Sequence, residues 1–199
     1  MIKKDSIQHT SIINNLTKYV DFSEEELDKF FELGETSFYK KNQTLVHKGK
    51  ESSPFILIKK GCLMTSYIDE GDFRHVIQFG IDNWWTGDLN SFMNNVPSIY
   101  SIKAMTDVEV LTWNKVNFDL LCASSPNFEK YFRILFQNSL ISHQKRIIRN
   151  ISFSAEQKYL TFLKNYPRLE LIVPQKYIAS YLGITPVFLS NLRKKLSGK

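Results

Sequence analysis

The side chains best suited to chemistry in this chain lie between Gln175 and Lys195, in QKYIASYLGITPVFLSNLRKK. Gln175, Lys176, Thr185, Pro186, Val187, Ser190, Asn191, Arg193, Lys194 and Lys195 combine amide, hydroxyl and apolar groups that match base edges with cations that match phosphates. Asn191 suits adenine, and Val187 suits a thymine methyl. To act together these groups must share one face of a helix. The spacing provides that helix and a second one to brace it. Ile178, Leu182, Ile184, Leu189 and Leu192 fall where two short crossed helices touch, and Ala179 fills a place with no room for more than a methyl. Gly183 closes the first helix in a left-handed turn. Thr185 is an N-cap for the second helix, and Pro186 is preset for its first position. The pattern predicts a helix-turn-helix; the plainer alternative is a structural helical hairpin with a solvated basic face.

Charge supports the first reading. Residues 151–199 hold eight Lys or Arg against Glu156 and Glu170, a net of +6, which is the formal charge of the whole chain; residues 1–150 are therefore balanced. A basic module attached to a neutral one is the electrostatic footprint of nucleic-acid binding. At 199 residues with 43% apolar content the chain suits one large or two small folded domains. No run is long enough to span a bilayer, and MIKKDSIQHT lacks the apolar core of a leader, so a cytoplasmic protein is expected. Cys62 and Cys122 stand alone in apolar surroundings and read as small buried residues rather than a disulfide, metal site or redox switch.

Ahead of the basic tail, a helix is expected over Ile12 to Tyr19. Ser23 with Glu26 forms a capping box for a second helix burying Leu27, Phe30, Phe31 and Leu33. Residues 36–115 then hold short β-rich runs, TLVH, PFILIKK, CLMTSYI, FRHVIQF, YSIKAM and VEVLTW, with Asp69-Glu70-Gly71-Asp72 as a hairpin tip and Trp84 and Trp85 packing the roll or its rim. Many strands without helices between them predict an antiparallel sandwich or jelly roll. From about Pro126 the period turns helical: Phe128, Phe132, Leu135, Phe136, Leu140 and Ile147 form a stripe on a helix of about two dozen residues, twice the mean length. Such a face needs a partner, and a second copy of the same helix is preferred over the chain's own roll. Asn150 to Ser154 interrupts the pattern as a hinge. Ser154 with Gln157 then caps a helix burying Tyr159, Leu160, Phe162 and Leu163 that stops before Pro167.

This order resembles the CRP/FNR family of bacterial transcription regulators. The barrel glycines in HKGK and KKGCL, the segments GDLNSF and PSIYSIKA, and IASYLGITPVFLSNLRKK carry the resemblance, which covers nearly the whole chain. It implies an α+β fold: an N-terminal antiparallel β-roll of the cyclic-nucleotide-binding-domain type, a long dimerisation helix, and a C-terminal helix-turn-helix DNA-binding domain with a reduced wing. The implied domains are residues 1–125 (effector-sensing roll with N-terminal helices), 126–150 (dimerisation helix) and 151–199 (DNA-binding domain). The implied partners are a double-stranded DNA operator, a second copy of the chain, RNA polymerase and an unidentified small-molecule effector, with no membrane and no cofactor.

The chain departs from the family pattern in two places. The resemblance puts the effector pocket at Gly87, Asp88, Leu89, Ser98, Ile99 and Lys103. Cyclic-AMP-binding members carry Gly-Glu and then Arg-Ser or Arg-Thr there, whereas this chain has Gly87-Asp88 and Ser98-Ile99. Without the guanidinium a buried phosphate loses its bidentate partner, and Lys103 is a point charge elsewhere on the segment, so cyclic AMP and cyclic GMP are not expected ligands. Two cysteines cannot supply an iron–sulfur cluster, and His47 and His75 read as bystanders on strands. The recognition helix carries Pro186, Val187 and Asn191 where the best-known members place Arg, Glu and Arg, so a different half-site is expected. An enzyme is not expected. A cupin-like metal enzyme would need clustered His and carboxylate ligands, and a protein-interaction module that has lost DNA binding would show only weak duplex binding at low salt.

Overall fold

The computed structural model describes residues 6–50 and 52–198. Lys199 and the first five residues, counted above in the charge and leader readings, lie outside the described residues. Two compact units organise the chain: one joins the residues up to Thr65 with Phe79–Asn138, the other joins Ser66–Gln78 with the residues from Ser139 onward.

The strands form two four-stranded sheets. Strands β1 (Glu35–Tyr39), β8 (Val108–Trp113), β3 (Phe55–Lys60) and β6 (Trp85–Thr86) lie side by side in that order; β2 (Thr44–Val46), β7 (Ser101–Ala104), β4 (Leu63–Ile68) and β5 (Arg74–Gly80) form the other sheet. β1 and β3 both pair antiparallel with β8, from Glu35↔Thr112 to Tyr39↔Val108 and from Phe55↔Trp113 onward. Because successive side chains in a strand point to opposite faces, the near-continuous apolar run of β3 serves two cores. Ile56 and Ile58 join Val46, Leu63, Ile102, Ala104, Val108 and Val110 between the sheets. Phe55 and Leu57 face the other way, joining Leu111 and Trp113 beneath a helical layer.

That layer consists of α1 (Ser6–Leu16), α2 (Glu24–Leu33), α4 (Lys115–Ser124) and the start of α5 (Pro126–Ser152), with the six-residue α3 (Leu89–Asn94) between β6 and β7. The Ser23–Glu26 capping box forms, and the Glu26 carboxylate also accepts from Ser125 Oγ and Asn127 Nδ2. The Ser125 bond, ahead of the others, holds the Glu26 carboxyl below its ordinary pKa. Burial pushes the Cys62 thiol up to about 12, and burial followed by Glu129 and Asp119 pushes Cys122 to about 11.

The second unit holds the rest of α5, then α6 (Ala155–Asn165), α7 (Leu169–Ile172), α8 (Gln175–Leu182) and α9 (Pro186–Leu196), together with Ser66–Gln78, which takes in the end of β4, the hairpin tip and most of β5. Tyr159, Phe162, Tyr166, Leu169, Val173, Ile178, Leu182, Leu189 and Leu192 make its core. Ser180 Oγ on α8 donates to the Arg74 carbonyl at 2.8 Å and accepts from the Val76 amide at 3.0 Å. The Arg146 guanidinium, stacked 4.4 Å from the centre of the Tyr181 ring, donates to the Val76 and Ile77 carbonyls.

Several elements differ from expectation. α1 ends at Leu16, three residues short of Tyr19, and Leu160 is half exposed rather than buried. β1, β6, α3, α4 and α7 were not expected. β1 has a mostly exposed pattern without clean alternation, and β6 and α7 are too short to show a period. His47 lies just beyond β2 rather than on a strand, while His75 is on β5 and meets Asp69 at 2.6 Å.

Candidate nucleic-acid interface and effector pocket

Two short helices, α8 and α9, joined by a tight turn form where the spacing predicts them. Ile178, Ala179 and Leu182 of α8 are buried with Leu189 and Leu192 of α9; Ile184 is half-buried. Gly183 sits at φ 69° with its amide on the Ser180 carbonyl, and Ile184 donates back to Ala179 at 3.0 Å, so two of the carbonyls at the end of α8 are satisfied. A Cβ at Gly183 would meet nothing within 4 Å, so the backbone angle, not crowding, selects glycine. Thr185 Oγ1 accepts from the Phe188 amide at 3.1 Å and Pro186 opens α9.

Outward from α9 stand Val187 at 71% exposure and Phe188 at 52%, with Asn191 and Lys194 exposed and Ser190 half-buried. Gln175, Ser190, Arg193, Lys194 and Ser197 line a shallow open depression. The cations divide into two sets. Lys195 is paired with Glu156 at 3.1 Å and Arg193 reaches Glu170 at 3.8 Å, whereas Lys194 and Lys176 have no carboxylate partner among the described residues; Lys176 lies over the Tyr177 ring. Thr185 and Pro186 are spent on starting the helix. Phe188 escaped the sequence reading because an aromatic residue beside a buried leucine reads as core.

The stripe on α5 also divides. Phe128 and Phe132 are buried in the first unit's own core, and Leu135 and Phe136 pack partly against it, so these four are not a free face for a second copy. Phe132 lies 4.6 Å from the ring of Phe118. Of the expected interface residues only Leu140 and Ile147 are exposed. Ile141, Ile148 and Ile151 extend the uncovered face.

In the segment expected to hold an effector, Gly87 has φ 149°, and a Cβ there would come within 2.9 Å of the Pro54 carbonyl. Asp88 is buried at 2% exposure and caps α3. Its Oδ1 accepts from the Ser91 amide at 3.1 Å; its Oδ2 accepts from Ser98 Oγ and from the Ile99 amide, each at 3.0 Å. Burial, and then the charge of Asp88, raises the pKa of the Tyr100 hydroxyl. The structure thus brings Gly87, Asp88, Ser98 and Ile99 together, with the Ile99 side chain turned to solvent. Leu89 is exposed at the start of α3, and half-buried Lys103 sits on β7 opposite Thr44. Ser53 and Ser91, which support the cluster, gave no signal in the sequence.

Residues 36–125 match the model of the cyclic nucleotide-binding domain. The fold of the whole is that of the CRP/FNR regulators. FixK2 from Bradyrhizobium japonicum is 13% identical with a TM-score of 0.72, over 83% of this chain and 85% of that one. The c-di-GMP responsive global regulator CLP from Xanthomonas campestris is 12% identical with a TM-score of 0.72, over 88% of this chain and 92% of that one. A CooA mutant from Carboxydothermus hydrogenoformans is 18% identical with a TM-score of 0.68, over 94% of this chain and 84% of that one. No curated protein matches the chain in sequence. Ser98, where the resemblance puts the arginine of cyclic-AMP-binding members, donates its hydroxyl to Asp88. No helix among the described residues is long and apolar enough to cross a membrane, and no group of three or more His, Cys, Asp or Glu among them could hold a metal ion.

Proposed function

We propose that this chain is a transcription regulator that binds a near-palindromic DNA operator as a homodimer. In this reading residues 1–125 form the sensor roll, 126–150 the dimerisation helix and 151–199 the reader. The observation that carries it is the outward face of α9. Val187, Phe188, Asn191 and Lys194 stand clear of the core on a helix held firmly by its Thr185 cap and by Leu189 and Leu192. A recognition helix in the major groove needs that division between a braced inner face and a free outer one. Asn191 would read adenine, Val187 and Phe188 would read apolar groove surface, and Lys194 and Lys176 would take phosphates. Dimerisation uses Leu140, Ile141, Ile147, Ile148 and Ile151, which sets the two recognition helices for half-sites a helical turn apart.

Selection of bound duplexes from a random pool tests this directly. A palindromic consensus is the expected result. Enrichment of no sequence, with weak binding to every duplex at low salt, would instead support a protein-docking role for the exposed Val187–Phe188 pair.

A further inference from the structure

Asp88 has an environment that capping does not explain. A buried carboxylate is costly unless its oxygens are well bonded, and every partner given to this one is a neutral donor. The Ser91 amide is the ordinary N-cap bond. The other two donors lie ten and eleven residues along the chain, on the segment leading into β7, and both converge on Oδ2. The surroundings hold the donors in place. Ser53 Oγ accepts from the Asp88 amide, the Ser53 amide donates to Ser91 Oγ at 2.8 Å, and Ser91 Oγ donates to the Val96 carbonyl. Ser98 Oγ in turn accepts from the Tyr100 amide at 3.1 Å. Converging N–H and O–H groups with no cation between them form a seat for an oxyanion.

We propose that Asp88 is the resident anion of this β-roll: its carboxylate fills, from within the chain, an oxyanion seat formed by Ser98 Oγ and the Ile99 and Ser91 amides. The roll is therefore closed on a ligand of its own and takes no external phosphate at this seat. With the carboxylate removed, the seat accepts a small oxyanion such as formate or acetate. The inference stands on the roll alone and does not depend on DNA binding.

The test is thermal unfolding of the full chain, wild type and Asp88→Gly, in sodium formate, acetate or phosphate against sodium chloride of equal ionic strength. Glycine is a tolerated N-cap, so the variant removes the carboxylate while costing little as a cap. Wild type should show no anion-specific shift, including with cyclic AMP. Asp88→Gly should melt lower and recover saturably with formate or acetate but not chloride; recovery with phosphate as well would show that the seat also takes the larger anion. A variant as stable as wild type, a response to chloride equal to that for formate, or a phosphate shift in wild type would overturn the proposal. If Asp88→Gly does not fold, Asp88→Asn decides. Each carboxylate oxygen accepts from a backbone N–H, so the NH2 of an amide must oppose at least one of them. Amide exchange at Ile99 or Ser91 should then rise at least tenfold; unchanged protection at both would overturn the proposal.

Discussion

Ile148→Glu should convert the protein from dimer to monomer without unfolding it. On α5, Leu140 and Ile147 are seven residues apart, as are Ile141 and Ile148, with Ile151 one turn further on; this is a heptad seam. Their exposures run from 46% to 82%. Together the five leave about three side chains' worth of apolar surface uncovered per subunit, at about 1.5–3 kcal/mol each on burial. A symmetric pair therefore gains about 9–18 kcal/mol against about 4–15 kcal/mol of lost freedom, a margin that permits a micromolar dimer but leaves little to spare. Ile148, 60% exposed, carries about 1–2 kcal/mol of this in each subunit, and a carboxylate in its place must also be desolvated. The two copies together should weaken association at least about 100-fold. Sedimentation velocity across about 1–100 µM reads the change around the micromolar range, and circular dichroism should show α5 intact because the position is exposed in the subunit. Phe136→Glu is not equivalent, since that ring packs against the subunit's own core. If wild type and variant sediment alike over the whole range, the seam is not the interface.

On a selected operator, Lys194→Ala should flatten the salt dependence by about 1.8 in log–log slope, two lost phosphate contacts per dimer at about 0.9 each. Lys195→Ala should flatten it less, because Lys195 already faces Glu156; equal slopes in competition titrations would refute the division. Replacing thymine by uracil at the groove positions facing Val187 and Phe188 should weaken binding about fourfold per methyl, at about 0.8 kcal/mol each. That sensitivity should disappear in the Val187→Ala, Phe188→Ala double variant, and a wild type indifferent to uracil would count against apolar readout. Glu26 has a lowered folded-state pKa, so its contribution to stability is present above the unfolded carboxylate value and lost as pH falls through the folded one. Stability of wild type should therefore fall more steeply with acid than that of Glu26→Gln; parallel curves in urea melts at stepped pH would refute this.

Helices α8 and α9 were legible because three independent signals agree in phase: the Thr185 cap, Pro186 at the first position and Gly183 at the turn. The length of α5 was legible for a similar reason, but its partner was not. An apolar stripe records that a face is covered without recording by what, and Phe128 and Phe132 proved to be covered by the roll itself. α3 and α4 carry cap residues, Asp88 and Asn114, that would have located them had that region not been read only for alternation. Asp88 stands where the resemblance puts the glutamate of cyclic-AMP-binding members. Nothing in residue type tells which way a carboxylate turns, and here it points at Ser98 and Ile99.

β5 ends the β2-β7-β4-β5 sheet, so its outer backbone groups are open to pairing with any stray strand. Ser180 satisfies the Arg74 carbonyl and the Val76 amide, and Arg146 satisfies the Val76 and Ile77 carbonyls. The same two side chains therefore guard the chain against edge-to-edge aggregation. A variant without them would keep every strand of its sheet yet present a bare rim, and its failure would show first as fibres or precipitate rather than as a lowered melting point.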